Sequence, residues 1–457
     1  MKTFDYIIIG SGQAGTPLAF HLAEKGRVAF IEKDKPGGTC VNTGCTPTKA
    51  YIASARKIWD AKNAVEWGIE VPEGTKANLA KVKERKDELV QDSRDGIENG
   101  VKNNEQIQWF QGTARFISNY EVEINGEIIT AKLIFINVGA RPKIPDAFRG
   151  IPYLTNESLL DLNEIPEKLL IVGGSYIGLE FGQMFQRFGS KVTIIEKENR
   201  LIYREDPETS KVIGNFLKAE GIEIVLDANC IGGSKNGEDS ITVTTKCPGY
   251  ESVTGSHVLL ALGRMPNTDT LHLGNTTIET NPQGYIEVND YCETNVPGIF
   301  ALGDCNGKGA FTHTSYNDFQ IVAGYMDGDK KRKISDRITT YGLFTDPPLG
   351  RVGLTKKQAL EQGFKILVAY RPMDKIARAK EKGETYGFME LIIDAKTDQF
   401  LGGCILGVGG DEIINGITNL MYAKQPYTVF RDSVQIHPTV TELIPTILEN
   451  LKPLSGQ

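Results

Sequence analysis

Two cysteines lying close together are the residues of this sequence best suited to chemistry. Cys40 and Cys45 stand in GGTCVNTGCTPTK, residues 37–49, directly behind a pair of glycines. On an ideal helix, Cα atoms at this spacing are about 8.6 Å apart, whereas a disulfide tolerates at most about 7 Å. A bridge therefore requires a distorted turn, which Gly44 and Pro47 favour, and strain makes such a bridge easier to reduce. We interpret the pair as a redox-active centre.

The other cysteines carry no such pattern. The chain has seven cysteines in all, an odd number, and only Cys40 and Cys45 are close in sequence. A scattered, odd set is a poor disulfide framework. We expect the remaining ones to be ordinary buried small residues, namely Cys230, Cys247, Cys292, Cys305 and Cys404.

The elements that must position this chemistry begin with a glycine turn near the start of the chain. FDYIIIGSGQAGTPLAFHLAEKGRVAFIEK, from Phe4, reads as strand, turn, helix and second strand. Its glycines are Gly10, Gly12 and Gly15, and Glu32 closes the second strand. Such glycines let the backbone approach a pyrophosphate at a helix N-terminus, and the acid accepts hydrogen bonds from ribose hydroxyls. The alternative is a tight turn without a ligand.

A second copy of the same plan occurs in the middle of the chain. KLLIVGGSYIGLEFGQMFQRFGSKVTIIEK carries Gly173, Ser175, Gly178 and Glu196 at nearly the same spacing, with a serine in place of the middle glycine. A single glycine pattern is weak evidence, but each copy follows an apolar strand, opens a helix and ends on an acid. Two copies predict two dinucleotide sites.

The rest of the chain predicts mixed α/β structure. Residues 78–103 read as a polar helix, and QWFQGTARF, YEVEI and LIFINVGARPKIP read as short strands. From about residue 336, strands such as GFMELIIDA and QFLGGCILG mix with helices, which is typical of an α+β domain. The net charge of −7, without a basic run, disfavours nucleic acid. Because no apolar run approaches about 18 residues, we expect no membrane span and a cytoplasmic location.

A histidine near the C-terminus is a candidate acid/base. His437 stands before Pro438, which suits the first position of the helix suggested by TVTELIPTILENL. That arrangement leaves His437 just outside the helix, with Glu442 near enough to orient its ring. The competing interpretation is a structural histidine, as we expect for His21, His257 and His272.

Taken together, these motifs resemble the class I flavoprotein pyridine nucleotide–disulfide reductases, within which the mercuric-reductase-like and copper(II)-reductase-like branch is most similar. The motifs are GSG from Gly10, GGTCVNTGC, the second glycine turn, ALGRMPN, TNVPGIFALGD and HPTVTE. The resemblance implies two Rossmann-like dinucleotide-binding domains and a C-terminal α+β dimerisation domain. The implied segments are 1–145 and 267–335 for the FAD domain, 146–266 for the NAD(P) domain and 336–457 for the dimer contact.

Residue roles follow from the same resemblance. It implies that Cys45 is the thiol against the flavin and that Cys40 is the thiol that meets the substrate. It also implies a homodimer, in which His437 of the partner subunit, held by Glu442, is the acid/base. The resemblance also implies that Tyr176 is the gate over the flavin. Lys49 and Glu180 are the implied ion pair beside the flavin, and His313 is expected to lie close to it. The implied cofactor-binding set is Gly10, Gly12, Gly15, Glu32, Gly38, Thr39, Lys49, Ala114, Gly139, Gly173, Ser175, Tyr176, Gly178, Glu180, Glu196, Gly263, Arg264 and Asp304.

The cofactors and the substrate are predicted less directly. The resemblance implies FAD, and Glu196 favours NADH because a carboxylate repels a 2′-phosphate, although NADPH stays possible beside Lys197 and Arg200. Mercuric reductases carry a C-terminal cysteine pair, whereas this chain has no cysteine after Cys404. We expect no resident metal. Three functions stay open: a metal-ion or small-disulfide reductase, a dihydrolipoyl dehydrogenase, and a non-enzymatic flavoprotein or metal-sequestering protein.

Overall fold

The computed structural model describes residues 1–237 and 240–454. The first part of the chain forms β1 (Lys2–Thr3), β2 (Tyr6–Ile9), α1 (Gly15–Ala23), β3 (Val28–Glu32), α2 (Gly38–Asn42), α3 (Cys45–Asn63), α4 (Leu79–Lys102), β4 (Ile107–Gln111), β5 (Arg115–Ser118), β6 (Glu121–Ile124), β7 (Glu127–Thr130), β8 (Leu133–Ile136) and β9 (Ala140–Pro142). The middle part forms α5 (Asn156–Leu159), β10 (Lys168–Val172), α6 (Tyr176–Phe188), β11 (Lys191–Ile195), α7 (Pro207–Ala219), β12 (Glu223–Val225), β13 (Cys230–Asn236), β14 (Ser240–Thr245), β15 (Ser252–Gly255), β16 (His257–Leu260), β17 (Arg264–Pro266), β18 (Ile299–Ala301) and α8 (Thr312–Met326).

The last part forms β19 (Thr340–Leu343), β20 (Leu349–Gly353), α9 (Lys356–Glu361), β21 (Ile366–Pro372), α10 (Ala377–Glu381), β22 (Phe388–Asp394), β23 (Phe400–Leu406), α11 (Gly410–Tyr422), α12 (Thr428–Arg431), α13 (Leu443–Leu448) and β24 (Lys452–Pro453). Short 3₁₀ helices cover Ala64–Trp67, Asp146–Phe148, Asn267–Leu271, Leu273–Asn275, Gly303–Asn306, Ile334–Asp336 and Met373–Lys375.

The first glycine turn lies on a five-stranded parallel sheet with the order β18-β8-β2-β3-β4. Strands β2, β8 and β18 are continuous apolar runs, as expected for a sheet with both faces covered. All residues of β3 are buried, whereas the edge strand β4 is only partly so. The chain returns from a distant segment to add β18 at one edge. The carboxyl ends of β2, β3, β8 and β18 therefore meet along one border, where ligands bind in such sheets.

The second glycine turn lies on a four-stranded parallel sheet with the order β12-β11-β10-β16. Helix α6 follows β10 and packs on this sheet, with most of its residues buried. An antiparallel meander of β13, β14 and β15 lies beside the sheet and shares a hydrophobic cluster with it. The short pair β9–β17 connects the two glycine-turn units.

The C-terminal part forms a six-stranded antiparallel sheet with the order β19-β20-β23-β22-β21-β24. Every residue of its central strand β22 is buried, including the charged residues Glu390 and Asp394. Two parallel α/β units and an α+β unit are the predicted fold class, which is thereby confirmed. The predicted residue boundaries between the domains stay predictions.

Most of the predicted elements are present, with one clear exception. The helix predicted over residues 78–103 is α4, whose N-cap Asn78 accepts a hydrogen bond from the Lys81 amide at 3.2 Å. The helix predicted to begin at Pro438 is wrong, because α13 begins only at Leu443. The Thr439 hydroxyl donates to the Ile436 carbonyl and accepts from the Glu442 amide, so a turn takes up these residues instead.

The scattered cysteines do not all behave as predicted. Cys292, Cys305 and Cys404 are fully buried. Cys230 and Cys247 are only partly buried, so the expectation is wrong for these two. The reason is their place at the margin of the hydrophobic cluster under the meander, with Cys230 at the start of β13 and Cys247 just after β14. Within residues 1–237 and 240–454, no helix is long and apolar enough to cross a membrane.

Candidate active site

The two predicted redox cysteines lie on either side of a break between two helices. Helix α2 ends at Asn42, Gly44 adopts a conformation that is neither helical nor extended, and α3 begins at Cys45. Gly44 is needed because a Cβ there would lie 2.8 Å from the Thr39 carbonyl oxygen. The distorted turn inferred from the spacing of the cysteines is therefore present. Both cysteines are free thiols in this structure.

The surroundings of Cys45 favour its thiolate. A hydrogen bond from the Cys40 thiol is the main reason that the pKa of Cys45 falls to about 6, and the Thr312 hydroxyl and the charge of Lys49 contribute further. The Thr312 Oγ1 atom lies 3.2 Å from the Cys45 Sγ atom. The pKa of Cys40 is raised instead, chiefly because its thiol hydrogen-bonds to Cys45. Cys45 therefore carries the charge and Cys40 keeps the shared proton.

An ion pair lies next to this thiolate. The Lys49 Nζ atom is 2.6 Å from the Glu180 Oε2 atom, which joins α3 to α6 of the other unit. The second carboxylate oxygen of Glu180 accepts a hydrogen bond from the Phe344 amide at 2.9 Å. The Lys49 ammonium also lies 4.3 Å from the centre of the Phe344 ring. The two residues predicted as a pair are thus brought together, and a third part of the chain holds them.

Close backbone contacts explain the glycines of the first turn. Gly10 has a φ of +103°, and a Cβ there would overlap the Asn137 carbonyl oxygen. A Cβ at Gly15 would overlap the Gly10 carbonyl oxygen. The Asn137 side chain accepts a hydrogen bond from the Gly15 amide at 2.9 Å and donates to the Leu302 carbonyl at 2.8 Å. Asn137 therefore fixes the turn, a role that the sequence pattern did not reveal.

The first turn has the features of a pyrophosphate cradle. Gly12 faces Gly38 so closely that a Cβ on Gly38 would lie 2.9 Å from the Gly12 Cα atom. Among the described residues, no acceptor takes a hydrogen bond from the backbone amides of Gly12, Gln13 or Ala14. These amides lie at the N-terminus of α1, where an anion is stabilised. The chain at this turn therefore fits the phosphates of a dinucleotide.

The acid at the end of β3 is positioned by the same turn. The Glu32 Oε2 atom accepts hydrogen bonds from the Ser11 amide at 2.9 Å and the Ser11 hydroxyl at 2.6 Å. The Oε1 atom accepts from the Asp34 amide at 2.9 Å. A carboxylate has about four acceptor sites, so Oε1 keeps one for a ribose hydroxyl.

The second turn repeats this construction. Gly173 has a φ of +116°, and a Cβ at Gly178 would overlap the Gly173 carbonyl oxygen. Glu196, directly after β11, accepts hydrogen bonds from the Gly174 amide at 2.6 Å and the Glu198 amide at 2.9 Å. Ser175 is the N-cap of α6, and its side chain makes no capping hydrogen bond. Both predicted dinucleotide turns are therefore built on the same local contacts.

Aromatic side chains surround the first residue of α6. The Tyr176 ring meets the Phe311 ring edge-on, with centroids 6.0 Å apart, and the Tyr341 ring edge-on at 5.6 Å. Phe311 is stacked on His313 at 5.3 Å, and the His313 ring nitrogen contacts the Thr340 carbonyl at 2.8 Å. Burial lowers the pKa of His313. The packing of this histidine therefore favours its neutral form, while the hydrogen bond with Thr340 opposes that shift in pKa.

The other predicted cofactor residues surround the junction of the two units. The Arg264 guanidinium lies 3.7 Å from the Asp304 carboxylate, donates to the Ala140 carbonyl and reaches the Thr39 hydroxyl at 3.4 Å. Burial raises the pKa of Asp304. Two glycines, Gly139 and Gly263, have positive φ values and open space around them, whereas Ala114 is buried in the core.

The predicted acid/base pair is formed, although apart from the thiols. The His437 Nδ1 atom lies 2.8 Å from the Glu442 Oε2 atom, and the His437 side chain is 79% exposed. No hydrogen bond or ion pair among the described residues joins this pair to Cys40 or Cys45. The neighbouring Val434 and Ile436 are 99% and 80% exposed. The histidine is therefore oriented but faces outward from its own chain.

The fold and these sites define the class of the protein. The model of the pyridine nucleotide-disulphide oxidoreductases matches residues 4–318, and the model of the dimerisation domain of that family matches residues 339–447. The chain belongs to this family of oxidoreductases and is an enzyme of it. Enzymes of this family use FAD and a nicotinamide dinucleotide, and the two glycine turns fit two such groups.

Individual relatives fall into three groups. The chain is 35% identical over 463 residues to the probable pyridine nucleotide-disulfide oxidoreductase RclA of Escherichia coli (strain K12), covering 99% of this chain and 100% of that protein. It is 33% identical to mercuric reductase of Staphylococcus aureus, covering 91% of this chain and 76% of that protein. It is 32% identical to dihydrolipoyl dehydrogenase of Chlamydia trachomatis, covering 97% and 95% respectively.

Solved structures show the same likeness in three dimensions. The Cu(II) complex of the HOCl-induced flavoprotein disulfide reductase RclA from Escherichia coli has a TM-score of 0.89 to this chain at 33% identity. The match covers 99% of this chain and 100% of that one.

Proposed function

We propose that this enzyme uses NADH and FAD to reduce Cu(II), or another thiophilic metal ion, through the Cys40–Cys45 pair. The observation that carries the proposal is an acidic Cys45 thiol, with a pKa of about 6, hydrogen-bonded to Cys40. Soft thiolate ligands of this kind suit copper and mercury. The likeness to RclA, whose structure was solved as a Cu(II) complex, supports the same choice of substrate.

Two units of the chain would hold the two cofactors. We assign FAD to residues 1–145 and 267–335, where the Gly12–Ala14 amides receive the pyrophosphate, Glu32 receives a ribose hydroxyl and Asp304 receives the ribityl chain. Residues 146–266 would hold the nicotinamide dinucleotide at the second turn. When bound, FAD supplies hydride acceptance from the nicotinamide and electron transfer to a disulfide.

We favour NADH because of the charge of Glu196. Its carboxylate is fixed by the Gly174 and Glu198 amides and keeps acceptor sites for two ribose hydroxyls. The same charge repels a 2′-phosphate. Lys197 pairs with Glu198 at 3.4 Å, so its charge is shared with a second carboxylate.

The residues around the two thiols have different proposed roles. Lys49 stabilises the Cys45 thiolate and is itself held by Glu180, while the Thr312 hydroxyl donates a hydrogen bond to the sulfur. Cys40 keeps the proton and is the thiol offered to the substrate. When the reduced pair, with Cys45 as thiolate and Cys40 as thiol, returns to the disulfide, it gives up two electrons and one proton. Two Cu(II) ions would each accept one electron, or one Hg(II) ion would accept both.

A second function is favoured by the His437–Glu442 pair. Reduction of a disulfide such as lipoamide releases a thiolate that needs a proton, and a histidine oriented by a carboxylate supplies one. A metal ion needs no such proton. The identity to dihydrolipoyl dehydrogenases agrees with this alternative.

The acid/base pair also implies a homodimer. His437 and its apolar neighbours are exposed and lie in the segment matched by the dimerisation domain. We assign residues 336–457 to the contact between two subunits and propose that His437 of one subunit serves the thiols of the other. We also propose a cytoplasmic location, where a nicotinamide dinucleotide is available.

The test compares substrates in the wild type and two variants. The wild type, Cys40→Ser and His437→Ala are assayed with Cu(II), Hg(II), lipoamide, oxidised glutathione and quinones, each with NADH and with NADPH. We expect Cys40→Ser to abolish turnover of the preferred substrate and His437→Ala to spare copper reduction but lower disulfide reduction by about 10²-fold or more. His257→Ala serves as the control, since His257 lies partly buried in β16. Lipoamide rates far above every metal rate would replace the copper proposal with the dehydrogenase.

A further inference from the structure

A buried charge pair between two domains lies behind the aromatic cluster around Tyr176. The Arg351 Nε atom donates to the Glu205 Oε2 atom at 3.2 Å, and its Nη2 atom donates to the same oxygen. The two side chains are 1% and 0% exposed. Glu205 precedes α7 in the second dinucleotide unit, whereas Arg351 lies on β20 of the C-terminal sheet. Because removing one partner would leave a buried charge unpaired, this pair is a fixed point between the domains.

Tyr341 connects this fixed point to Tyr176. Tyr341 and Arg351 are directly opposite each other in the β19–β20 pairing. The Tyr341 hydroxyl donates to the Glu205 Oε1 atom, so both cross-strand neighbours hold the same carboxylate. The Tyr341 ring is stacked on Phe311 at 5.9 Å and meets the Tyr176 ring edge-on. The orientation of Tyr341 is thus determined at both ends, by its hydroxyl and by its ring.

Two aromatic rings contact the Tyr176 ring directly. It lies between the edges of Phe311 and Tyr341, an arrangement that aromatic pairs prefer. Burial raises the pKa of Tyr176 to about 12, and a hydrogen bond with Tyr341 opposes this rise. Both aromatic rings that contact Tyr176 therefore lie outside its own helix.

We infer that Tyr341, anchored by Glu205 and Arg351, is a positioning residue that holds Tyr176 in its closed position over the nicotinamide site. The inference rests on the proposed role of Tyr176 as the gate of that site. If the dinucleotide binds only when the Tyr176 gate is open, its apparent affinity is proportional to the fraction of the enzyme in which the gate is open. Weakening the closed position should therefore tighten nicotinamide binding. One aromatic pair or one neutral hydrogen bond changes such an equilibrium roughly 2- to 10-fold.

The experiment measures the equilibrium dissociation constant of NAD⁺ for the FAD-loaded enzyme by calorimetry. Tyr341→Ala removes the ring contact and should lower the constant roughly 2- to 10-fold. Tyr341→Phe keeps the ring but loses the hydrogen bonds of its hydroxyl with Glu205 and Tyr176, and should shift the constant in the same direction by less. Tyr386→Phe is the matched control, since Tyr386 lies 51% exposed in the same domain. An unchanged or weaker affinity in both Tyr341 variants would overturn the inference.

Two further variants separate this inference from the gate on which it rests. Tyr176→Ala should tighten NAD⁺ binding at least as much as Tyr341→Ala. If Tyr176→Ala has no effect, the gate itself is wrong and the inference is overturned with it. If Tyr176→Ala tightens binding while the Tyr341 variants do not, the gate stands and the role of Tyr341 alone is refuted. In the Tyr176→Ala background, Tyr341→Phe should add nothing, because coupled residues are not additive.

Discussion

The Thr312→Val variant tests how the structure sets the acidity of Cys45. The Thr312 hydroxyl lies 3.2 Å from the Cys45 sulfur, and valine keeps the shape of the side chain without the donor. Hydrogen bonds to charged groups contribute about 1.5–3 kcal/mol, and one pKa unit corresponds to about 1.4 kcal/mol. The pKa of Cys45, about 6 in the wild type, should therefore rise by about one to two units.

The sign of the change decides what is observed. A thiol is ionised above its pKa, so a higher pKa lowers the thiolate fraction at neutral pH, from about nine-tenths to between about half and a tenth. The assay follows alkylation of Cys45 by iodoacetamide against pH in the reduced enzyme, with the modified cysteine located by peptide mass. Thr312→Ser, which keeps the hydroxyl, should titrate like the wild type. A Thr312→Val profile that coincides with the wild type would refute the assigned contact.

Three further predictions concern the nicotinamide site and the dimer. Gly178→Ala places a Cβ on the Gly173 carbonyl oxygen, so NAD⁺ affinity should fall more than tenfold while the flavin content stays unchanged; equal loss of both would contradict separate sites. Glu196→Gln removes the charge that repels a 2′-phosphate, and kcat/KM for NADPH should rise several-fold relative to NADH, whereas an unchanged ratio would show that Glu196 does not select the cofactor. Ile436→Asp puts a charge into the proposed subunit contact and should give monomers in sedimentation that lack disulfide turnover; fully active dimers would place the contact elsewhere.

The sequence was informative wherever a function depends on neighbours along the chain. Each glycine turn is a strand, a turn and a helix in succession, so its spacing predicts both the local fold and the acid that closes it. The break at Gly44 could likewise be inferred, because the distance between Cys40 and Cys45 depends only on the intervening backbone.

Residues contributed from distant parts of the chain could not be predicted in this way. Thr312 reaches Cys45, and Asn137 reaches Gly15, only after separate segments have assembled on a common sheet border. The same holds for Tyr341, whose partner Glu205 belongs to another domain. The predicted start of the last helix was wrong for a local reason. Pro438 suggested a helix start, but the hydrogen bonds of Thr439 form a turn there instead.

The central claim is that electrons reach the substrate through Cys40 and Cys45, and thiol mapping under anaerobic conditions tests it most directly. The enzyme is reduced with NADH, treated with Cu(II) in the presence of a Cu(I) chelator, and alkylated before and after the copper step. We predict that Cys40 and Cys45 become alkylated after NADH, and that both are protected as a disulfide again once an equivalent amount of Cu(I) has formed. Formation of Cu(I) at an undiminished rate in Cys40→Ser, or without any change in the alkylation of these two cysteines, would contradict the claim.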